Sequence, residues 1–266
     1  MLRHVFKKAG GLLPHGKARN FIKSLYHGIL HLFKEDDIVY TSDPQVFTKK
    51  LQRMQKQTAY SKYWAEKEEF NTAEDWPAHY KIMIEWFNQK IIPLLNKDMN
   101  IADMPCANGE LTFYFSKYVK SIDGFDISEK MLNLAKQRAE KQGITNINFQ
   151  QADAQTIVFN KQYDVFMLLW LLMYIHDKGK VNDILKKIYD TLPPGGYLVV
   201  KDSLWENTDR DVYCLDIPRY YYAVYRSVSN FLSLFEKNNF SLIDKIILET
   251  KESGWCAMCA IFRKNQ

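Results

Sequence analysis

The chain has 266 residues, 47% of them hydrophobic and 25% charged, which suits a folded protein of one large domain or a domain with an added subdomain. Eleven Gly and eight Pro exclude a collagen-like or low-complexity chain, and the longest apolar run, VFMLLWLLMYI at 165–175, is too short to span a bilayer as a helix. The net charge of +5 is uneven: residues 1–34 hold seven Lys and Arg and no acid, leaving a near-neutral body of 29 basic and 31 acidic residues that argues against nucleic-acid binding.

The basic segment contains KARNFIKSLYHGILHLFK, residues 17–34, in which Phe21, Ile22, Leu25, Ile29, Leu32 and Phe33 recur at helical spacing. Three readings stay open. The helix could lie on an anionic membrane surface, serve as a mitochondrial-type targeting segment, or pack on the body with its basic face in water. We treat residues 1–40 as a basic N-terminal extension and 41–97 as a helical lid or subdomain. The latter includes TAYSKYWAEKEEF, and AHYKIMIEWFNQKIIPLL, which stops near Pro93.

From residue 98 the rhythm alternates. MNIADM is a strand and GELTFYFSKYV a helix; SIDGFD is a strand and SEKMLNLAKQRAEKQG a helix, capped by Ser128 and stopped at Gly143. NINFQ follows as a strand, and YDVFMLL as a buried strand running into a loop. KVNDILKKIYDTL is a helix ended by Pro193 and Pro194, GGYLVVKD a fifth strand, and RSVSNFLSLFEKNNF a helix. SLIDKIIL and GWCAMCAIF close the chain as an antiparallel hairpin. The alternation predicts an α/β fold: a doubly wound, Rossmann-like, mostly parallel seven-stranded sheet with an antiparallel C-terminal hairpin and an N-terminal helical extension.

Cys256 and Cys259 form a CxxC with no second pair to complete a zinc site, so they read as buried strand thiols over redox or metal ligands.

In such sheets a ligand lies beyond the carboxyl ends of the strands. The first strand ends at Asp103, the second at Asp126, and the third leads to Asp153 in QADAQ. A carboxylate at Asp126 can hold two ribose hydroxyls, and one at Asp153 can accept from an adenine amino group. The loop lacks the Gly-rich anion cradle and Lys that a dinucleotide or ATP needs.

IADMPCANG, GFDIS, QADAQ and LPPGGYLVV, in that order, resemble the class I S-adenosylmethionine-dependent methyltransferases over about residues 60–264. The resemblance implies S-adenosylmethionine as cofactor, no metal, and methyl transfer by in-line displacement. It implies cofactor contacts from Asp103, Cys106, Asn108, Gly109, Asp126, Ile127, Met131, Asp153, Ala154 and Leu169. Pro105 and Ala107 stand where the family's loop has Gly, and we read this as a variant loop that still binds.

The stretch YDVFMLLWLLMYIHD also resembles the protein N-terminal α-amine methyltransferases, through Trp170 and a Tyr-Trp pair like Tyr63–Trp64 near the cofactor. Leu169, Tyr174 and Ser203 replace polar groups of that subgroup. Around the acceptor we place Trp170, Tyr174, His176 and Asp202 as candidate catalytic residues. His176 could be a general base or a solvent-facing or capping residue; Asp202 could contact substrate or cap a turn.

Residues 204–227 are a candidate substrate cap. Tyr221, Tyr222, Tyr225 and Arg226 either offer aromatic faces and charge to an acceptor or belong to a helix that packs its Tyr residues as core. The leading expectation is methyl transfer to N or O of a small molecule or glycan in the cytoplasm. A protein amine methyltransferase with a peptide acceptor and a non-catalytic partner protein are the alternatives.

Overall fold

A computed structural model describes residues 38–55, 78–206, 208–216, 221–251 and 254–266. The basic amphipathic segment 17–34 and the pair Tyr63–Trp64 lie outside the described residues.

The described chain begins with β1 (Ile38–Thr41), α1 (Pro44–Gln55) and α2 (Ala78–Lys90). The alternating part follows as β2 (Asn100–Asp103), α3 (Glu110–Ser116), β3 (Ser121–Asp126), α4 (Glu129–Lys141), β4 (Ile147–Gln151) and β5 (Val165–Leu169). Next come α5 (Lys178–Thr191), β6 (Tyr197–Trp205), β7 (Val212–Asp216) and β8 (Tyr221–Ser227). The chain closes with α6 (Val228–Lys237), β9 (Phe240–Thr250) and β10 (Trp255–Lys264).

The central sheet runs β4-β3-β2-β5-β6-β10-β9, parallel except for β10, which is antiparallel to both neighbours. Both faces are covered, so its middle strands carry apolar side chains on both sides. Along β5, Val165, Met167 and Leu169 face one core with Phe87 and Phe115, while Phe166 and Leu168 face another with Ile184 and Phe231. Helices α2 and α3 therefore cover one face, and α5 and α6 the other. The same period of two separates the CxxC: Cys256 points into one core and Cys259 into the other. They cannot share a metal or a disulfide across the strand, and both are free, buried thiols.

The helix signals hold locally. Ser128 caps α4 by accepting from the Met131 N–H at 3.4 Å, and Gly143 ends that stretch at φ +66°.

Three strands were not expected. The Tyr-rich segment at 221–227 is the strand β8 and not a helix; it pairs with β7, and β7 pairs with β1, all antiparallel. This corrects the helical reading of the candidate cap, and β1 straddles the expected boundary at residue 40. The meander joins the main sheet through β6, whose last residues Leu204 and Trp205 run parallel to Arg226 and Ser227. Nine residues long, β6 reaches past β5 and carries both sheets. Helix α1 packs on the meander through Phe47 and Leu51, against Tyr213, Leu215, Tyr222 and Val224.

Phe47 is fully buried there, so Phe47→Ala is expected to lower stability by about 3 kcal/mol, measured by urea unfolding.

Candidate active site

The loops that leave β2, β3, β4 and β5 open into one cavity of about 440 Å³, within the size range of small-molecule sites, about 300–1,000 Å³. Of the residues singled out in the sequence, Asp103, Cys106, Asn108, Asp126, Ile127, Met131, Asp153, Ala154, Leu169, Trp170, Tyr174 and Tyr222 line it. Tyr80 of α2 and Pro105, Ala107 and Glu110 also line it.

The loop after β2 is held by Asp126. One carboxylate oxygen accepts the Ala107 N–H at 2.9 Å and the other accepts the Ser128 N–H at 2.8 Å. The Cys106 N–H donates to the Phe125 carbonyl at 2.9 Å, so the loop lies along the end of β3. Burial raises the Asp126 carboxyl above its ordinary value, and these backbone N–H groups pull it back. Each carboxylate oxygen keeps a further lone pair for a ligand.

Gly109 starts α3 at φ +82°, and a Cβ there would stand 2.7 Å from the Phe113 ring, so this glycine is required sterically. Ala107 sits at φ +46° and Trp170 at φ +60°. Three described non-glycine residues have positive φ, and two of them line this cavity. Backbone strain is thus concentrated at the site.

Asp103 supplies the sharpest electrostatic feature. One carboxylate oxygen accepts from the Thr112 hydroxyl at 2.6 Å. The other, Oδ1, is buried without a hydrogen-bond partner. Burial pushes this carboxyl up to about 7; the Thr112 bond opposes the rise and the Asp126 charge adds to it. A buried acceptor without a donor is costly unless a ligand supplies one. Asp153, half-buried, accepts the Gln155 N–H at 2.8 Å, which fixes its carboxylate at the cavity edge.

Several candidates stand elsewhere. His176 is not in the cavity wall; its ring packs edge-on against Phe47 and Tyr222, and burial lowers its pKa. Asp202 is buried on β6 and accepts the Met173 N–H at 2.9 Å and the Ser203 N–H at 3.0 Å. Burial pushes it up to about 7, against the pull of Arg226. Arg226 donates to the carbonyls of Leu172 and Ile175, each at 2.6 Å. Asp202 and Arg226 therefore brace the loop after β5, and neither lines the cavity. Tyr221 and Tyr225 share a hydroxyl contact of 3.3 Å outside the wall, and Tyr221 meets the Tyr174 ring edge-on, so of the candidate cap residues Tyr222 alone lines the cavity.

Two residues were missed. Tyr80 stacks on Trp170, with centroids 5.4 Å apart. Lys201 lies beneath that pair, and its signal was a charge following the apolar run YLVV in the strand GGYLVVKD.

Residues 95–240 match the sequence profile of a family described as "Methyltransferase domain". The demethylmenaquinone methyltransferase of Lactococcus lactis is 33% identical over 105 residues, covering 38% of this chain and 40% of that protein. The ubiquinone biosynthesis O-methyltransferase of Coxiella burnetii is 27% identical over 137 residues, covering 47% and 56%. The chain thus spans about half the length of the curated relatives it matches. A solved S-adenosylmethionine-dependent methyltransferase from Methanosarcina mazei superposes with a TM-score of 0.56 at 20% identity, over 66% of this chain and 97% of that one, and shares the fold.

Ala107→Gly is expected to relieve the left-handed backbone and raise stability by about 1 kcal/mol, read as a higher melting temperature.

Proposed function

The chain belongs to the class I S-adenosylmethionine-dependent methyltransferases, and from that premise we propose that it methylates a nitrogen or oxygen of a small planar molecule. The observation that carries this reading is Asp103 Oδ1, a buried oxygen with no partner in the wall of the cavity. The cofactor's α-ammonium would meet that need. Asp126 would hold the ribose hydroxyls, between Ile127 and Met131, and Asp153 with the backbone of Ala154 would take the adenine edge. Bound there, the cofactor supplies a sulfonium methyl open to displacement by an acceptor lone pair.

The chain's own contribution is alignment and exclusion of water. Tyr80, Trp170, Leu171, Tyr174, Ile175 and Tyr222 form the acceptor side. This is an apolar, aromatic wall suited to a flat ring, and two relatives are named for quinone chemistry. An amine methyltransferase acting on peptides would call for carboxylates beside Trp170. The acceptor side carries none among the described residues. Pro105 stands in the wall without closing the cavity, which favours a binding site over a non-catalytic remnant.

Calorimetry with S-adenosylmethionine and S-adenosylhomocysteine tests this. Both should bind saturably, and Asp126→Ala should abolish binding; unchanged affinity in the variant would refute the ribose role. Asp103 is neutral below a pKa of about 7 and ionised above it, so affinity should rise about tenfold between about pH 6 and about pH 7.5. Asp103→Asn should flatten that rise.

A further inference from the structure

The acceptor side of the cavity is backed by a charge that its wall does not display. Lys201 lies in the middle of β6 and is 1% exposed. Its Nζ is buried and makes no hydrogen bond among the described residues. It sits instead 3.4 Å from the Trp170 ring centroid and 4.4 Å from that of Tyr80. Both rings line the cavity and Lys201 does not. Any acceptor that rests on these rings therefore has the Lys201 amine behind them, an ammonium whenever that group holds its proton.

The nearby acids leave that charge in place. Cys259, its cross-strand neighbour on β10, is held protonated by burial, its pKa pushed up to about 12. Asp202, the next residue, points to the opposite face of the strand and is engaged by the Met173 and Ser203 N–H groups. Glu249 on β9 is half-buried, so solvent weakens its effect. Burial lowers the Lys201 pKa to about 7, and an anion nearby would raise it again.

A cation on an aromatic face cancels the attraction those rings would offer a second cation. In a water-poor site like charges repel and opposite charges attract strongly. The two acceptor chemistries differ here. A neutral amine that takes a methyl becomes a new ammonium facing Lys201. A hydroxyl first loses its proton to solvent; its oxygen lone pair then forms the O–CH3 bond as the S–CH3 pair returns to sulfur, and the product is a neutral ether.

We propose that Lys201 makes the Tyr80–Trp170 side selective for an acceptor that reacts through an ionised oxygen, a phenol or enol, over one that reacts through an amine. The proposal rests on the reading of the cavity as a methyl-transfer site, so binding of S-adenosylhomocysteine to the full chain is measured first. Its absence from folded protein would overturn that reading and this one together. With the cofactor product bound, 4-nitrophenol is titrated spectroscopically, with 4-nitrobenzylamine as the cationic probe and 4-nitroaniline as the neutral one.

The bound phenol should ionise about one unit below the free compound, and the phenolate should bind at least about tenfold tighter than the ammonium. Lys201→Met keeps the stem length and removes the charge. It should lose both effects while 4-nitroaniline and S-adenosylhomocysteine bind as in the wild type, a pattern that loss of packing would not produce. An unshifted phenol titration in the wild-type protein, failure of the phenol to bind, preference for the ammonium, or a shift that persists in Lys201→Met would each overturn the proposal. The wild-type titration decides the matter even if the variant fails to fold.

Discussion

The carboxylate of Asp126 is the joint on which the site depends. One side chain at the end of β3 holds the Ala107 N–H of one loop and the Ser128 N–H that leads into α4. The loop after β2 and the start of α4 are thereby fixed to one strand end. The strain at Ala107 persists because this bond, the Cys106 N–H bond and the sterically required Gly109 over-determine the loop. Ala107 and Pro105, where the family pattern has Gly, remove no charged side chain from the site. The charged groups Asp103, Asp126 and Asp153 still converge on one cavity.

The seven-stranded sheet and the three acids were legible because each rests on local pattern. An apolar run with a turn after it reads as a buried strand, and a carboxylate just past it faces the strand ends whatever its partners. The meander was not legible for the converse reason. On β8, Tyr222 and Val224 face one core while Ala223 and Tyr225 face another. A strand buried on both faces shows no polar alternation, and its Tyr run fits a helix equally well.

Asp202 and Arg226 stayed open between a ligand role and a structural one for a different reason. A charged residue near a ligand loop invites a role in chemistry. Their partners, the Met173 N–H and the carbonyls of Leu172 and Ile175, are set by tertiary placement that spacing does not encode. His176 likewise follows directly on Ile175 of the cavity wall in sequence but packs against Phe47 in space. Lys201 was readable as a charge in a central strand but looked like the strand's end, since β6 continues to Trp205.

The strand β8, which that extra length of β6 ties to the main sheet, constrains how the protein can change over generations. It supplies Tyr222 to the cavity wall and also Arg226, which clamps the loop carrying Trp170 and Tyr174. The cavity wall and the bracing of its loop therefore draw on one short strand. A substitution on this strand that reshapes the wall and disturbs Arg226 would leave a buried charge and two buried carbonyls unpaired, a loss to be compensated elsewhere. New specificity in this scaffold would arise through coupled pairs of substitutions more readily than through single steps.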